Sequence, residues 1–219
     1  WLIKGFCLFA LEQFQDALLA YASSLEIDTE NPHTWFYKGR AHISLDNFDD
    51  AVAAFDHALA LEPEFGEAYY YKGIALARAQ KVSEAAAAFE QANRLMPDFA
   101  DAYLQKGRSL SALGRNSEAT EAFRNVLITN PDDLTALYGL ARSMDCQGLT
   151  EEAVTVYSRI NQVEPSCERV FYYKGTALVR LLQYSDAIEA FRSSVALNPS
   201  RVEAWKEMGR SFFILKKYD

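Results

Sequence analysis

Residues 67–77 read EAYYYKGIALA, with Tyr69, Tyr70 and Tyr71 side by side in a stretch of helical character. Successive helical residues project about 100° apart, so three adjacent rings cannot all share one core face. At least one ring must look elsewhere. The glycine that follows supplies the context. Gly5, Gly39, Gly73, Gly107, Gly175 and Gly209 fall on a 34-residue grid, with Ala141 in the one vacant place. Pro63, Pro97, Pro131, Pro165 and Pro199 keep the same period, as do Ala17, Ala51, Ala85, Ala119, Ala153 and Ala187. Four residues after each alanine comes an aromatic: Tyr21, Phe55, Phe89, Phe123, Tyr157 and Phe191. A fixed period of this length is the signature of a repeat array.

With position 1 placed seven residues before each grid glycine, full repeats run 32–65, 66–99, 100–133, 134–167 and 168–201. Residues 1–31 and 202–219 supply partial repeats, so residues 1–219 read as a single array. Each repeat reads as two helices. Helix A carries apolar residues at positions 4 and 11 and usually 14, and helix B mainly at 20, 21, 24, 28 and 30. Trp35, at position 4, is predicted to be buried between them. Ser83, Ser117, Thr150 and Ser185 precede acids and are predicted to be N-caps of helix B. Proline at position 32 cannot continue helix B and helps to end it. In the first partial repeat Thr29 stands in that place, and Pro32 falls near the next helix start, where proline is tolerated.

An aromatic at position 4, glycine at 8, alanine at 20, an aromatic at 24 and proline at 32 resemble the tetratricopeptide repeat. The resemblance covers the whole chain and recurs about six times, in the style of prokaryotic arrays. One departure is position 7, often leucine in that family but here Lys4, Lys38, Lys72, Lys106 and Lys174. A lysine stem can lie on an apolar seam while its amine reaches water. The resemblance implies an all-α, right-handed superhelical solenoid of antiparallel helix pairs. Helix A is expected to pack on its own helix B and on the next helix A, with the A helices lining a concave groove. One helix pair cannot bury its own apolar face, whereas stacked pairs form a continuous core.

Setting position 4 at 0°, positions 4, 8, 11, 7 and 14 fall within about 80° of one another, the packing face. Positions 12, 5, 9, 2, 13 and 6 span roughly 80° to 200° and are expected to face the groove. Tyr69 is then the packing ring, and Tyr70 and Tyr71 point inward. Phe36, Tyr37, Tyr138, Tyr172 and Tyr173 belong to the same arc, with Arg40, Arg108 and Arg142 at position 9 and Arg78 and Arg180 at position 13. Counting Arg169, Lys206 and Arg210, the arc holds eight basic residues against five acids, Glu67, Asp101, Asp145, Glu203 and Glu207, in a chain of net charge −8. Arginine among tyrosines suits carboxylates and extended peptide. The resulting expectation is a protein- or peptide-binding scaffold whose ligand is an acidic or carboxylate-bearing segment. Two blander readings stand beside it. The arginines pair with acids of adjacent repeats along a merely solvated wall, or the array self-assembles without a groove ligand.

The acidic balance, with a sequence pI near 5.0, disfavours nucleic acid and anionic membrane surfaces. Some family members clamp chaperone C-termini through Asn or Arg at position 6 of successive repeats. Position 6 here reads Ile3, Tyr37, Tyr71, Gln105, Gly139, Tyr173 and Glu207, which does not fit. His33, His42 and His57 share no helical face, and His42 falls in a core slot as a satisfied buried histidine. The odd cysteines Cys7, Cys146 and Cys167 lack metal-ligand spacing. No catalytic residue, cofactor or metal is expected. Reduced thiols and the lack of a signal-peptide pattern or an apolar run near 18 residues point to a cytoplasmic location. Trp1 opens directly onto helical sequence, so the chain reads as a fragment. The apolar residues Leu2, Ile3, Phe6, Phe9 and Ala10 at one end, with Trp205, Met208, Phe212 and Leu215 at the other, are candidate self-association surfaces.

Overall fold

The fold follows from one local device repeated along the chain, a three-residue turn that folds each helix A back onto its helix B. In the computed structural model, position 15 takes a left-handed backbone at Glu12, Asp46, Gln80, Gly114, Gly148 and Leu182, with φ between 57° and 82°. Gln80 N–H donates to Ala77 O and Lys81 N–H to Leu76 O, at 3.1 and 2.9 Å. That pair of bonds is a Schellman ending, which satisfies the last carbonyls of helix A. Non-glycine residues adopt this conformation at a cost, and Gly114 and Gly148 adopt it freely.

The structure describes residues 1–215, so the last four residues of the partial repeat 202–219 lie outside the described residues. The described residues form thirteen helices and no strand. They divide into two compact units, residues 1–113 and residues 114 onward. The first holds α1 (Leu2–Ala10), α2 (Phe14–Ile27), α3 (Pro32–Ser44), α4 (Phe48–Leu61), α5 (Gly66–Arg78), α6 (Val82–Leu95) and α7 (Ala100–Ala112). The second holds α8 (Asn116–Thr129), α9 (Leu134–Cys146), α10 (Thr150–Val163), α11 (Glu168–Arg180), α12 (Tyr184–Leu197) and α13 (Val202–Ile214). Odd-numbered helices are A and even-numbered ones B. Within each unit they stack as antiparallel pairs.

Helix B ends where the proline requires. α4 stops at Leu61, and Glu62, before Pro63, is extended at φ −133°. The N-cap reading of helix B needs correction. α6, α8, α10 and α12 begin after Lys81, Arg115, Leu149 and Gln183, so Ser83, Ser117, Thr150 and Ser185 lie inside the first turn, with no side-chain cap bond. The left-handed turn enters helix B directly and leaves no place for a capping side chain. Side-chain caps occur instead at helix A, where Asn31 accepts from Thr34 N–H at 3.2 Å and Asp133 from Ala136 N–H at 2.8 Å.

The core is wider than the apolar periodicity implies. Each B helix is wedged between its own A helix and the next A helix, while successive A helices touch only lightly. Helix A therefore buries two sides. Gly73 at position 8 faces its own helix B, where an added Cβ would lie 2.6 Å from Phe89 Cε1. Positions 3 and 10 face the preceding helix B: Ala68 and Ala75 cluster with Ala51 and Phe55, and Ala41 with Ala17 and Tyr21. These small residues were not part of the expected packing face.

Two expectations at α3 are corrected. Phe36 is buried, 6% exposed, in a cluster with Phe55 and Phe65. Trp35 is only half-buried: its Nε1 donates to Thr29 O at 2.9 Å and its ring stacks on His57 at 4.4 Å. His42 is also only partly buried, and its Nδ1 has no partner among the described residues, so it is not a satisfied core histidine.

Candidate functional site

The A helices place their tyrosines and arginines according to which side of the helix is already taken. Position 5 is taken. Phe36 packs on Phe65, and Tyr70 sits against Phe89 and Phe99 with centroids 6.0 and 4.8 Å away. Tyr172 lies 6.0 Å from Phe191. Burial pushes the Tyr70 hydroxyl up to about 12, and Asp101 and Tyr71 add to the shift. So Phe36 is a core residue, and Tyr70 and Tyr172 are half-buried packing rings that keep an edge at the surface. Position 6 is a ladder rung: Tyr37, Tyr71 and Tyr173 stack on Tyr21, Phe55 and Tyr157 of the preceding helix B at 6.3 to 6.4 Å.

Against those rungs lie the position-9 arginines. The Arg40 guanidinium stands 4.8 Å over the Tyr71 ring and 5.8 Å over Tyr37, with Phe9 at 5.2 Å and Phe36 at 5.7 Å completing an aromatic box. Arg142 repeats the arrangement in the second unit, 5.6 Å over Tyr173 and 6.0 Å over Tyr138. The Tyr138 hydroxyl is pushed up to about 12, first by burial and then by its hydrogen bond and proximity to Tyr173, while Arg142 and Arg169 oppose the shift. Each guanidinium holds an aromatic face by cation–π attraction and keeps its forked donors for a further acceptor. Among the described residues neither Arg40 nor Arg142 has a carboxylate partner, and Arg108, exposed on α7, has none either.

The position-13 arginines differ. Arg180 is ion-paired with Asp145, which is itself buried. Arg78 reaches Asp46 at 3.5 Å on an exposed surface. Arg210, one turn from Glu207, is paired at 3.1 Å. The reading in which arginines pair with acids therefore describes position 13, and the unpaired reading describes position 9. The structure thus brings Tyr37, Arg40 and Tyr71 together in one unit and Tyr138, Arg142 and Tyr173 in the other. Phe9, named from the sequence only as part of an apolar end, is a wall of the Arg40 box. Its position, 12, is on the predicted arc.

The position-7 lysines are not simply solvated. Lys72 pairs with Asp56 at 2.6 Å and Lys106 with Glu90, both acids at position 25 of the same repeat. Lys4 and Lys38 stand over the rings of Trp1 and Trp35 at 5.0 Å. Among the described residues, no group of three or more His, Cys, Asp or Glu is placed to hold a metal, and no helix is long and apolar enough to cross a membrane. The three cysteines are free thiols.

Several solved structures share this arrangement. A crystal structure of YrrB, a tetratricopeptide protein with an unusual peptide-binding site, superposes with a TM-score of 0.79 at 21% identity, over 85% of this chain and 96% of YrrB. MamA superposes with a TM-score of 0.70 at 25% identity, over 74% of this chain and 94% of that one. The C-terminal part of a tetratricopeptide repeat-containing protein from Cytophaga hutchinsonii gives 0.79 at 13% identity, over all of this chain and 88% of its own. No curated protein is matched by sequence. The tetratricopeptide pattern itself matches residues 36–98, 104–162 and 172–219. With most of the chain matched and with helix pairs that stack as in these structures, this protein belongs to the tetratricopeptide repeat family.

Proposed function

We propose that the chain is an interaction scaffold that holds acidic or carboxylate-bearing peptide segments against its A helices, with Arg40 and Arg142 as the principal contacts. Arrays of this family serve as protein-interaction scaffolds and are generally not enzymes. YrrB, similar in fold, carries a peptide-binding site, which supports looking for a ligand here. One observation carries the finer reading: the two position-9 guanidiniums are held on tyrosine faces without a carboxylate of their own. Oriented, rigidly backed arginines lose little freedom on taking a carboxylate, and forked pairs are the stronger kind of charged hydrogen bond. Tyr37, Tyr71, Tyr138 and Tyr173 supply flat apolar area beside each charge, and Arg108 adds a third exposed cation. Tyr70 and Tyr172 contribute their surface edges. Arg78 exchanges Asp46 for a ligand easily, whereas Arg180 stays on Asp145. A single groove along one 1–219 array and a cytoplasmic setting, consistent with free thiols, belong to the same proposal.

The test is fluorescence anisotropy with a labelled glutamate-rich decapeptide. Binding weakens with salt, and the Arg40→Gln and Arg142→Gln changes each reduce affinity several-fold. Preference for a lysine-rich control peptide, or indifference to both changes, overturns the proposal.

The second reading is self-association, favoured by apolar side chains left in solvent: Ile3 is 79% exposed, Phe213 67% and Trp1 56%. Light scattering decides it, since a monomer at high micromolar concentration removes this reading and leaves the groove untouched.

A further inference from the structure

Position 34 closes the space beside the position-5 ring, and it does so differently from repeat to repeat. In repeat 32–65 it is Phe65, 8% exposed, 4.8 Å from Phe36 and 5.2 Å from His33. In repeat 66–99 it is Phe99, 4.8 Å from Tyr70. In repeat 168–201 it is Arg201, whose guanidinium stands 5.0 Å over the Tyr172 ring. Repeat 134–167 keeps the ring, Tyr138, but places the small Cys167 where a cover is needed. Ile160 replaces the alanines Ala58 and Ala92 of the earlier repeats without filling the gap. An open depression of about 500 Å³ remains between α9, α10 and α11, walled by Leu134, Tyr138, Ile160, Cys167 and Val170, with Arg169 at its rim.

The charges around the rim are mostly spent. Glu164 accepts from Ser166 N–H at 3.2 Å and from its hydroxyl, which holds the carboxyl below its ordinary range. Glu168 is held by Arg201 at 2.7 Å. Among the described residues Arg169 has no carboxylate, so the rim presents one uncommitted positive charge next to an apolar hollow.

We infer that this depression is an anchor pocket for an aromatic side chain, phenylalanine above all, presented by a partner peptide with a carboxylate close by for Arg169. The chain supplies its own template, because Phe65 and Phe99 fill the corresponding space from within. An aromatic ring entering against Tyr138 gains edge-to-face contact as well as burial, and rim pairing with Arg169 selects the acidic form. The pocket shares Tyr138 with the proposed groove but uses neither Arg40 nor Arg142, so it goes beyond that reading.

The experiment is a methyl NMR titration of the whole chain with N-acetyl-L-phenylalanine. Saturable shifts are expected at Leu134, Ile160 and Val170. N-acetyl-L-alanine should produce none, and N-acetyl-L-phenylalaninamide should bind several-fold more weakly. Cys167→Phe should abolish the shifts without lowering the melting temperature, and Cys167→Leu, a smaller change, should weaken them. Arg169→Gln should weaken the acid several-fold and leave the amide unchanged, while Arg40→Gln leaves both unchanged. Equal shifts with N-acetyl-L-alanine, undiminished binding by a folded Cys167→Phe or Cys167→Leu protein, or no saturable shift at these methyls overturns the pocket. Loss of acidic-peptide binding on Arg40→Gln bears only on the groove.

Discussion

Repeats 66–99 and 134–167 share one design and solve the same packing problem with different small residues. The position-24 aromatic is wedged between two A helices and needs room on each side. In repeat 66–99 the room comes from Gly73, whose missing Cβ admits Phe89. In repeat 134–167 the grid glycine is replaced by Ala141, fully buried, and Tyr157 is fully buried beside it. A glycine appears instead at Gly139, where a Cβ would lie 2.4 Å from the ring of Phe123 in the preceding helix B. The second repeat also exchanges Ala77 for a buried, ion-paired Asp145 and Phe99 for Cys167. Close approach is required at every step, but the helix that yields is not constant. The repeat that departs furthest from the pattern is also the one with a pocket and a buried charge.

The largest expected effect tests the wedge itself. Phe89→Ala should destabilise by about 3–5 kcal/mol in a urea melt, as buried aromatic truncations do. Tyr157→Phe should be near neutral, because the Tyr157 hydroxyl is buried with no partner among the described residues and its removal leaves no donor stranded. A loss above about 1 kcal/mol for Tyr157→Phe would mean that hydroxyl is bonded. Next comes the glycine. Gly73→Ala should cost about 1–3 kcal/mol by overpacking against Phe89. Gly209→Ala, where an added Cβ meets nothing within 4 Å, should instead stabilise α13 by up to about 1 kcal/mol. Equal effects at the two glycines would show that ring contact is not what the grid preserves.

A smaller contrast separates the two kinds of position-13 arginine. Arg180→Gln strands a buried carboxylate and should cost about 1–2 kcal/mol, below the value for a fully buried pair because Arg180 is half-exposed. Arg78→Gln, at a pair open to water, should cost less than about 0.5 kcal/mol. The smallest effect concerns pH. Burial lowers the His42 pKa against the opposing influence of Asp50, with Lys38 adding to the lowering. The folded state then prefers the neutral ring. The unfolded chain binds more protons, so this contribution is complete above the ordinary histidine value near 6.5 and is lost as pH falls through the folded value. His42→Leu should flatten the slope of stability between pH 7 and pH 5. An unchanged slope would assign it to other groups.

Several residues show where reading by periodicity succeeds and where it stops. Gly73, Phe89 and Pro97 announce themselves because each is chemically unusual at its place. Ala68, Ala75 and Ala41 bury as completely as any ring, yet alanine carries no apolar signal in an otherwise mixed helix. Trp35 and Phe36 exchange roles for a geometric reason. Helix A is held on two sides, and position 5 turns toward the ring of position 34, a contact absent from a helical wheel of helix A alone. Trp35→Ala, expected from the sequence to be a core deletion, is therefore an edge deletion that loses one hydrogen bond and a stacked histidine. For the candidate site, the residue types and the inward arc were legible. The difference between Arg40 and Arg180 was not, since it depends on Asp145 being buried beside a residue 35 positions away.

The amino-acid sequence alone determined the 34-residue period, the helix pair within it, the proline stops and the family, because each is set by local chemistry repeated in phase. Only the tertiary structure decided which tyrosines are rungs and which are packing, which arginines are uncommitted, and that Cys167 leaves a hollow. Those outcomes depend on what the neighbouring helix B and the next repeat place against each side chain. Burial and charge pairing across a stack are sums over neighbours that no single helix contains.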